Sequence, residues 1–257
     1  MLVRAAAFAL AFACAAQAKD ELPPADPNAN KLTGEEVAQG WKLLFDGRTL
    51  GGLRSLKSSD PLKNGWTIER GQLVLPKDIK HSGLVTGGDL VATMAYDDFE
   101  FRFDFRLAPS ANSGVLYFAR GGLGQPLTGH EFQLIDDVHH PDGLKGGDLK
   151  RTGALYGLLP RIKGTSIRMA ERWNEERWNQ GILIVQGQHV EHWVNDEKAL
   201  EYDLGPGLLQ RVAAQKVKVP PGFGAKLKSP IALLDQGEEI GFCNLKIRPL
   251  SPTPGPF

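Results

Sequence analysis

In "DFEFRFDFRL", residues 98–107, Phe99, Phe101, Phe103, Phe105 and Leu107 alternate strictly with Glu100, Arg102, Asp104 and Arg106. A period of two predicts a β-strand with one buried and one wet face. The charges on the wet face alternate in sign, which disfavours edge-to-edge aggregation. Shorter runs of the same kind begin at Trp41: "WKLLFDG", "WTIERGQLVL", "SGLVT", "NSGVLYFA", "HEFQLI", "SPIALLD" and "IGFCNLKIRPL", separated by Gly, Asn, Asp and Pro. "ILIVQGQHVEHWVN" predicts a hairpin turning at Gly187, with His189, Glu191 and Trp193 on one face and Val190, His192 and Val194 on the other. One helix is predicted in "GLLQRVAAQKVK", on the stripe Leu208, Leu209, Val212, Ala213 and Val217. Many short strands and a minor short helix predict an all-β fold, an antiparallel β-sandwich, with one domain over 41–250.

The ends of the chain follow other rules. Arg4 precedes an apolar run from Ala5 to Ala16, then Ala16-Gln17-Ala18, a small-x-small cleavage pattern. Residues 1–18 therefore read as a secretory signal, too short to span a bilayer, with the mature chain starting at Lys19 in the periplasm or beyond. The rival reading, lipidation at Cys14, has Ala11 where such sites usually carry Leu. Residues 19–40 are polar and Pro-rich and read as a leader or linker, with capping-box spacing between Thr33 and Glu36 for one helical turn. Residues 251–257 form a tail.

Composition narrows the function classes. Loss of residues 1–18 leaves Cys243 as the single cysteine, so no disulfide within the chain is available. About 240 residues suffice for a self-standing core. The chain carries 30 basic and 30 acidic residues, which gives no electrostatic case for nucleic acid or anionic lipid. There is no G-x-S-x-G, no phosphate-binding glycine motif and no C-x-x-C, and Cys243 lies in a strand-like run as a core residue.

The densest chemistry is "EFQLIDDVHHPD", residues 131–142. Alternation places Glu131 and Gln133 side by side on one sheet face, with Phe132 and Leu134 on the other. The strand then runs into a long loop rich in His, Asp, Lys and Arg, and long loops in compact domains tend to be functional. Asp137 and His139 fit a polar turn, whereas for Glu131, His140 and Asp142 a polar turn and a chemical role, in acid/base work or ion binding, stand level. Their spacing matches no strong metal signature. Asn112 and Ser113 either turn the chain or bind hydroxyls, Arg151 and Tyr156 can donate to an oxyanion, and Trp173 and Trp178 are core or sugar platforms.

Several blocks occur together and in order: "GWKLLFDGRTLGG", "YDDFEFRFDFRLAPSANSGVLYF", "GHEFQLIDD", "HHPDG", "RTGALYGLLP", "ERWNQGILIVQGQHVEHWVN" and "GFCNLKIRPL". From Gly40 to Leu250 the chain thus resembles the bacterial 3-keto-disaccharide hydrolase domain family. The resemblance implies a concanavalin A/laminin-G-like jelly roll and an exported enzyme acting on glycosides whose C3 hydroxyl is already a ketone. A C3 ketone acidifies the C2 proton, so a base can form an enolate that expels the C1 oxygen, and water can add back. Carried over position by position, the implied catalytic residues are His140, Glu131 and Arg151. The implied substrate contacts are Asn112, Ser113, Gln133, Asp136, Asp142 and Tyr156. A divalent metal ion is possible as a Lewis acid, but no ligand set is implied. Leu234 and Gln236 of "LLDQG" stand where many members carry Gln and His. The expected partner is an oxidised, 3-keto sugar or glycoside. The competing expectations are a sugar-binding module without catalysis, a hydrolase using two carboxylates, and a structural surface protein.

Overall fold

A computed structural model describes residues 26, 28–56, 62, 65–76, 88–122, 125–164, 167, 169 and 178–250. The signal pattern with Cys14, the start of the leader, "SGLVT", Trp173 and the tail lie outside them.

The described strands are β1 (Lys42–Leu43), β2 (Leu53–Ser55), β3 (Thr67–Glu69), β4 (Gln72–Leu75), β5 (Leu90–Ala92), β6 (Phe99–Leu107) and β7 (Asn112–Gly122). They continue with β8 (Gln125–Ile135), β9 (Asn179–Gln186), β10 (His189–Val194), β11 (Glu197–Asp203), β12 (Ala232–Leu233) and β13 (Ile240–Pro249). They form two antiparallel sheets. The larger runs β11-β10-β9-β6-β13-β4-β3, with β1 also on β13, and the smaller runs β2-β5-β12-β7-β8. The architecture is the expected antiparallel β-sandwich, and the hairpin turns at Gly187 as predicted.

The core lies between the sheets. Phe101, Phe103 and Phe105 of β6 are buried, and Phe103 meets Phe132 of β8 edge-on at 5.7 Å. Opposite Phe103 on β9 stands Gly181, where an added Cβ would lie 2.1 Å from the ring carbon Cζ. The ring fills the space of the missing side chain. Deeper in, Tyr117 bonds His192 Nε2 and Tyr202 at 2.7 Å each, and Tyr202 bonds His130 Nδ1 at 2.7 Å. The outer nitrogens reach the carbonyls of Gly153 and Phe223. Burial pushes His130 down to about 4 and His192 to about 3, so both rings are neutral at pH 7.

Three expectations change. The second face of β6 is not uniformly wet, since Glu100 and Arg106 are buried. Helix α1 (Gly34–Ala38) carries the expected capping box, and Trp41 just beyond it packs among Arg102, Arg248 and Lys246. Glu100 pairs with Arg102 and Arg248 beside it, while Trp178 covers the Arg106 guanidinium at 4.1 Å. Residues 28–40 are accordingly fastened to the sandwich, because Asn30 and Asn244 exchange backbone-to-side-chain bonds and Glu36 pairs with Lys246. The helix expected from Gly207 is shorter and begins one residue earlier, α3 (Pro206–Ala213). Leu208 and Val212 are buried, but Leu209 and Val217 are exposed, so the apolar stripe is narrower than its spacing implied. The third change is α2 (Pro141–Gly146), in a segment read as loop. Its start is set by Pro141 in the first turn and by the His140 side chain, which is not a usual N-cap.

The Gly181–Phe103 contact gives a direct check. Gly181→Ala is expected to lower stability by about 1–3 kcal/mol through overpacking, read by urea denaturation.

Candidate active site

Register on the smaller sheet fixes which side chains leave the core. Leu116 stands opposite Glu131, Gly114 opposite Gln133, and Asn112 opposite Ile135. With Phe132 and Leu134 buried between the sheets, alternation turns Glu131 and Gln133 outward over Gly114 and Leu116. Gly114 has a specific part in this. A Cβ there would stand 2.8 Å from Glu131 Oε1 and 2.9 Å from its Cγ, so the missing side chain is what lets the carboxyl lie across β7. Gln133 and Asn112 join amide groups at 3.0 Å. With the Gln133 amide turned to suit its neighbours, its nitrogen donates to Glu131 Oε1 at 3.2 Å and to the Ser113 carbonyl at 3.1 Å.

"TGALY" extends the sheet beyond β8. Gly153 N–H donates to the Gln133 carbonyl, Gln133 N–H to the Ala154 carbonyl, and Tyr156 N–H to the Glu131 carbonyl. Leu155 bridges Phe132 in the core, which leaves Tyr156 beside Glu131 on the outward face. Thr152 locks the segment by exchanging bonds with the backbone of Ile135. The Tyr156 hydroxyl donates to Asp142 Oδ2 at 2.6 Å, and Lys150 Nζ reaches the same oxygen at 3.1 Å and lies 5.5 Å from the Tyr156 ring centre. Next to Asp142, His140 Nδ1 accepts the Asp142 N–H at 3.1 Å and caps α2. Its Nε2 has no partner among the described residues. In the neutral ring that nitrogen therefore carries the proton.

Electrostatics separates these groups. Burial, and then the negative charge of Asp89, raise Glu131 to about 7. Tyr156 is raised by burial, by its bond to Asp142 and by the charges of Asp142 and Glu131, so it stays a neutral phenol. Asp142 is held below its usual value by Tyr156 and Lys150. The outcome is a carboxyl able to exchange a proton near neutrality, beside a fixed phenol and a fixed carboxylate.

Other sequence-identified residues are placed elsewhere. The Ser113 hydroxyl is buried and donates to the Leu234 carbonyl. Asp136 accepts N–H groups from Ser110, Val138 and His139, and these outweigh its burial and hold it ionised. Asp137 braces Thr152 and Arg161. Arg151 donates to the Gly143 carbonyl at 3.3 Å and lies 3.7 Å from Asp148, so it holds α2 and the turn after it. The structure thus gathers Glu131, Gln133, Asn112, Tyr156, Asp142 and His140, and uses Ser113, Asp136 and Arg151 to shape their surroundings. Sequence reasoning passed over Lys150, Asp89 and Gly114. Only Gly114 left a signal, as a glycine inside a strand pattern.

A divalent ion would need converging donors. Among the described residues the one such group is His189, Glu191 and Glu201, on β10 and β11 of the other sheet. There the Lys198 ammonium already sits 2.8 Å from both glutamates. Glu131, His140 and Asp142 do not form such a group.

Fold and site together define the class, a jelly-roll β-sandwich with a desolvated, proton-exchanging carboxyl on its smaller sheet. The chain belongs to the family of 3-keto-alpha-glucoside-1,2-lyase-like domains, whose model matches residues 40–248. It is 28% identical over 243 residues to the 3-keto-disaccharide hydrolase of Bacteroides thetaiotaomicron, covering 83% of this chain and 79% of that protein. A solved structure described as a glycosyl hydrolase from Parabacteroides distasonis superposes with TM-score 0.69 at 27% identity, over 87% of this chain and 100% of that one. A second from the same organism gives TM-score 0.60 at 24% identity, over 82% and 99%, and supports the fold alone.

Gly114→Ala tests the cradle. The added methyl meets Glu131 at Oε1 and Cγ and stands 3.2 Å from the Phe132 carbonyl oxygen, so stability should fall by about 1–3 kcal/mol through overpacking. Sugar-cleaving activity should fall about tenfold or more as the carboxyl is displaced, read as turnover beside a thermal melt.

Proposed function

We propose that this chain cleaves glycosides whose C3 hydroxyl has been oxidised to a ketone, with Glu131 as the base that removes the C2 proton. Family membership and the name of the Bacteroides relative support an enzyme acting on sugars. The observation that carries the finer reading is the Glu131 carboxyl, raised to about 7 on the outward face of the smaller sheet. A base of that strength suits a proton acidified by a neighbouring ketone, since general bases work best near the operating pH.

The steps follow from the groups present. Ionised Glu131 takes the C2 proton, and the C2–H electron pair forms the enolate of the C3 ketone. As the C3 carbonyl reforms, C1=C2 forms, the C1–O bond breaks and the leaving oxygen, hydrogen-bonded by His140 Nε2–H, takes the proton that Glu131 removed from C2, which returns Glu131 to its ionised form. Addition of water across C1=C2 returns a proton to C2 and gives net hydrolysis. Tyr156, with its proton committed to Asp142, accepts a bond from a sugar hydroxyl, and Asn112, held by the buried Gln133 amide, positions the ring. Export is part of the same reading and rests on the amino-terminal signal pattern. Mass spectrometry of the exported protein should find Lys19 as its first residue.

Glu131→Gln should lower kcat at least about a hundredfold on a 3-keto-glucoside, with the fold retained. Because the ionised form is the active one, kcat/KM should rise as pH passes through about 7. The unoxidised parent glycoside should remain uncut, and cleavage of both at equal rates would sink the C2-acidity mechanism. His140→Ala should cost about tenfold or more in kcat through loss of the hydrogen bond to the leaving oxygen. A loss confined to KM would leave His140 only as a cap and a sugar contact.

A further inference from the structure

Strand register places a second carboxylate on the face that carries Glu131. Val91 pairs with Ala232, Ala232 with Leu116, and Leu116 with Glu131, so one outward row crosses four strands. The neighbouring row follows from alternation. Asp89 lies two residues before Val91, Leu234 two residues after Ala232, and the Leu234 N–H donates to the Gly114 carbonyl. Gly114 in turn faces Gln133. The row therefore reads Asp89, Leu234, Gly114, Gln133. Two inter-strand steps of about 4.8 Å each separate the backbones of Asp89 and Gly114. Glu131 leans over Gly114, and the only side chain of that row between the two acids is Leu234, which is buried.

Asp89 is held in place. Its Oδ1 accepts the Asp235 N–H at 3.0 Å, while the Asp235 carboxylate takes the N–H groups of Gly88 at 2.7 Å and Gly237 at 2.8 Å. Two chain segments, one before β5 and one after β12, are thus clamped to each other by aspartates. A charge fixed over an apolar row is felt strongly, because little polarisable material lies between it and its neighbour.

We propose that Asp89 is a positioning residue for the reaction: fixed by the Asp235 clamp, its negative charge acts across the Gly114–Leu234 row to make Glu131 a stronger base. The proposal rests on Glu131 being the base, and it adds which residue sets its strength. The other groups around Glu131 are Tyr156 from the segment beyond β8, with Asp142, Lys150 and His140 behind it, and the neutral amides of Asn112 and Gln133. The phenol and the amides are uncharged, and the Asp142 carboxylate is paired with Lys150 and Tyr156. The through-space influence on Glu131 comes from Asp89.

Asp89→Asn keeps an oxygen for the Asp235 N–H and removes the charge. In the substrate-free protein, carboxyl 13C NMR should show the Glu131 midpoint lowered by about half a pH unit, roughly threefold in proton affinity. The rising limb of kcat/KM should move down by the same amount, and the high-pH plateau of kcat should fall severalfold because a weaker base remains. KM should hold, and Asp89→Glu should restore the wild-type midpoint in large part. An unmoved Glu131 midpoint in folded Asp89→Asn, checked by thermal melt, would overturn the proposal, even if turnover fell. The NMR titration needs no substrate. Inactivity of the wild type on every 3-keto-glucoside would therefore refute the proposed function while the titration still judged the pair. Should Asp89→Asn fail to fold, Asp89→Ser, which also removes the charge and keeps an oxygen, is read by the same titration: a lowered midpoint supports the pair and an unmoved one overturns it.

Discussion

Phe132 is the wedge on which the rest of the molecule depends. It packs edge-on against Phe103, lies flat on His192 with ring centres 4.2 Å apart, and is bridged by Leu155. These contacts tie Phe132 of the smaller sheet to the larger sheet and to the segment beyond β8, so the two layers cannot slide without opening the core. Because side chains on a strand alternate, pinning Phe132 inward turns Glu131 and Gln133 outward. A slip of one residue would exchange them, burying the carboxyl and exposing the ring. The position of the proton-exchanging group is therefore a consequence of core packing.

The polar groups sort into two kinds according to what surrounds them. Inside, His130 and His192 are kept neutral by burial and are satisfied by Tyr117, Tyr202 and two backbone carbonyls. One of those carbonyls belongs to Gly153, so the interior network also anchors the segment that brings Tyr156 to Glu131. In the loop after β8, Asp136, Asp137, Arg151 and Arg161 spend their hydrogen bonds on the backbone and on each other. They hold the shape of a segment with little apolar area of its own. What remains for a ligand is the outward group of Glu131, Tyr156, Asp142 and His140, each half-buried.

The strands of the sandwich were legible because their periods are strict. The Phe ladder of β6, the hairpin at Gly187 and the Glu131/Gln133 pairing all follow from alternation alone. The wet face of β6 misled, because alternation cannot foresee that Trp41 and the α1 segment fold back over Glu100. Helix α2 was hidden for a similar reason, since its cap is a histidine and its six residues carry no apolar stripe. At the site, Glu131, Gln133 and Tyr156 were found through position and resemblance. Arg151 and Ser113 carry the right chemistry, yet their hydrogen bonds go to the fold.

Sequence by itself determined the fold class, the family and the face on which Glu131 stands, because each depends on local order along the chain: periods of two, turn residues and motifs in series. Tertiary structure decided what that carboxyl can do. Its desolvation, the vacancy at Gly114 and the facing charge of Asp89 come from segments between 17 and 42 residues away in sequence. Electrostatic coupling depends on distance and dielectric, and neither is written along the chain.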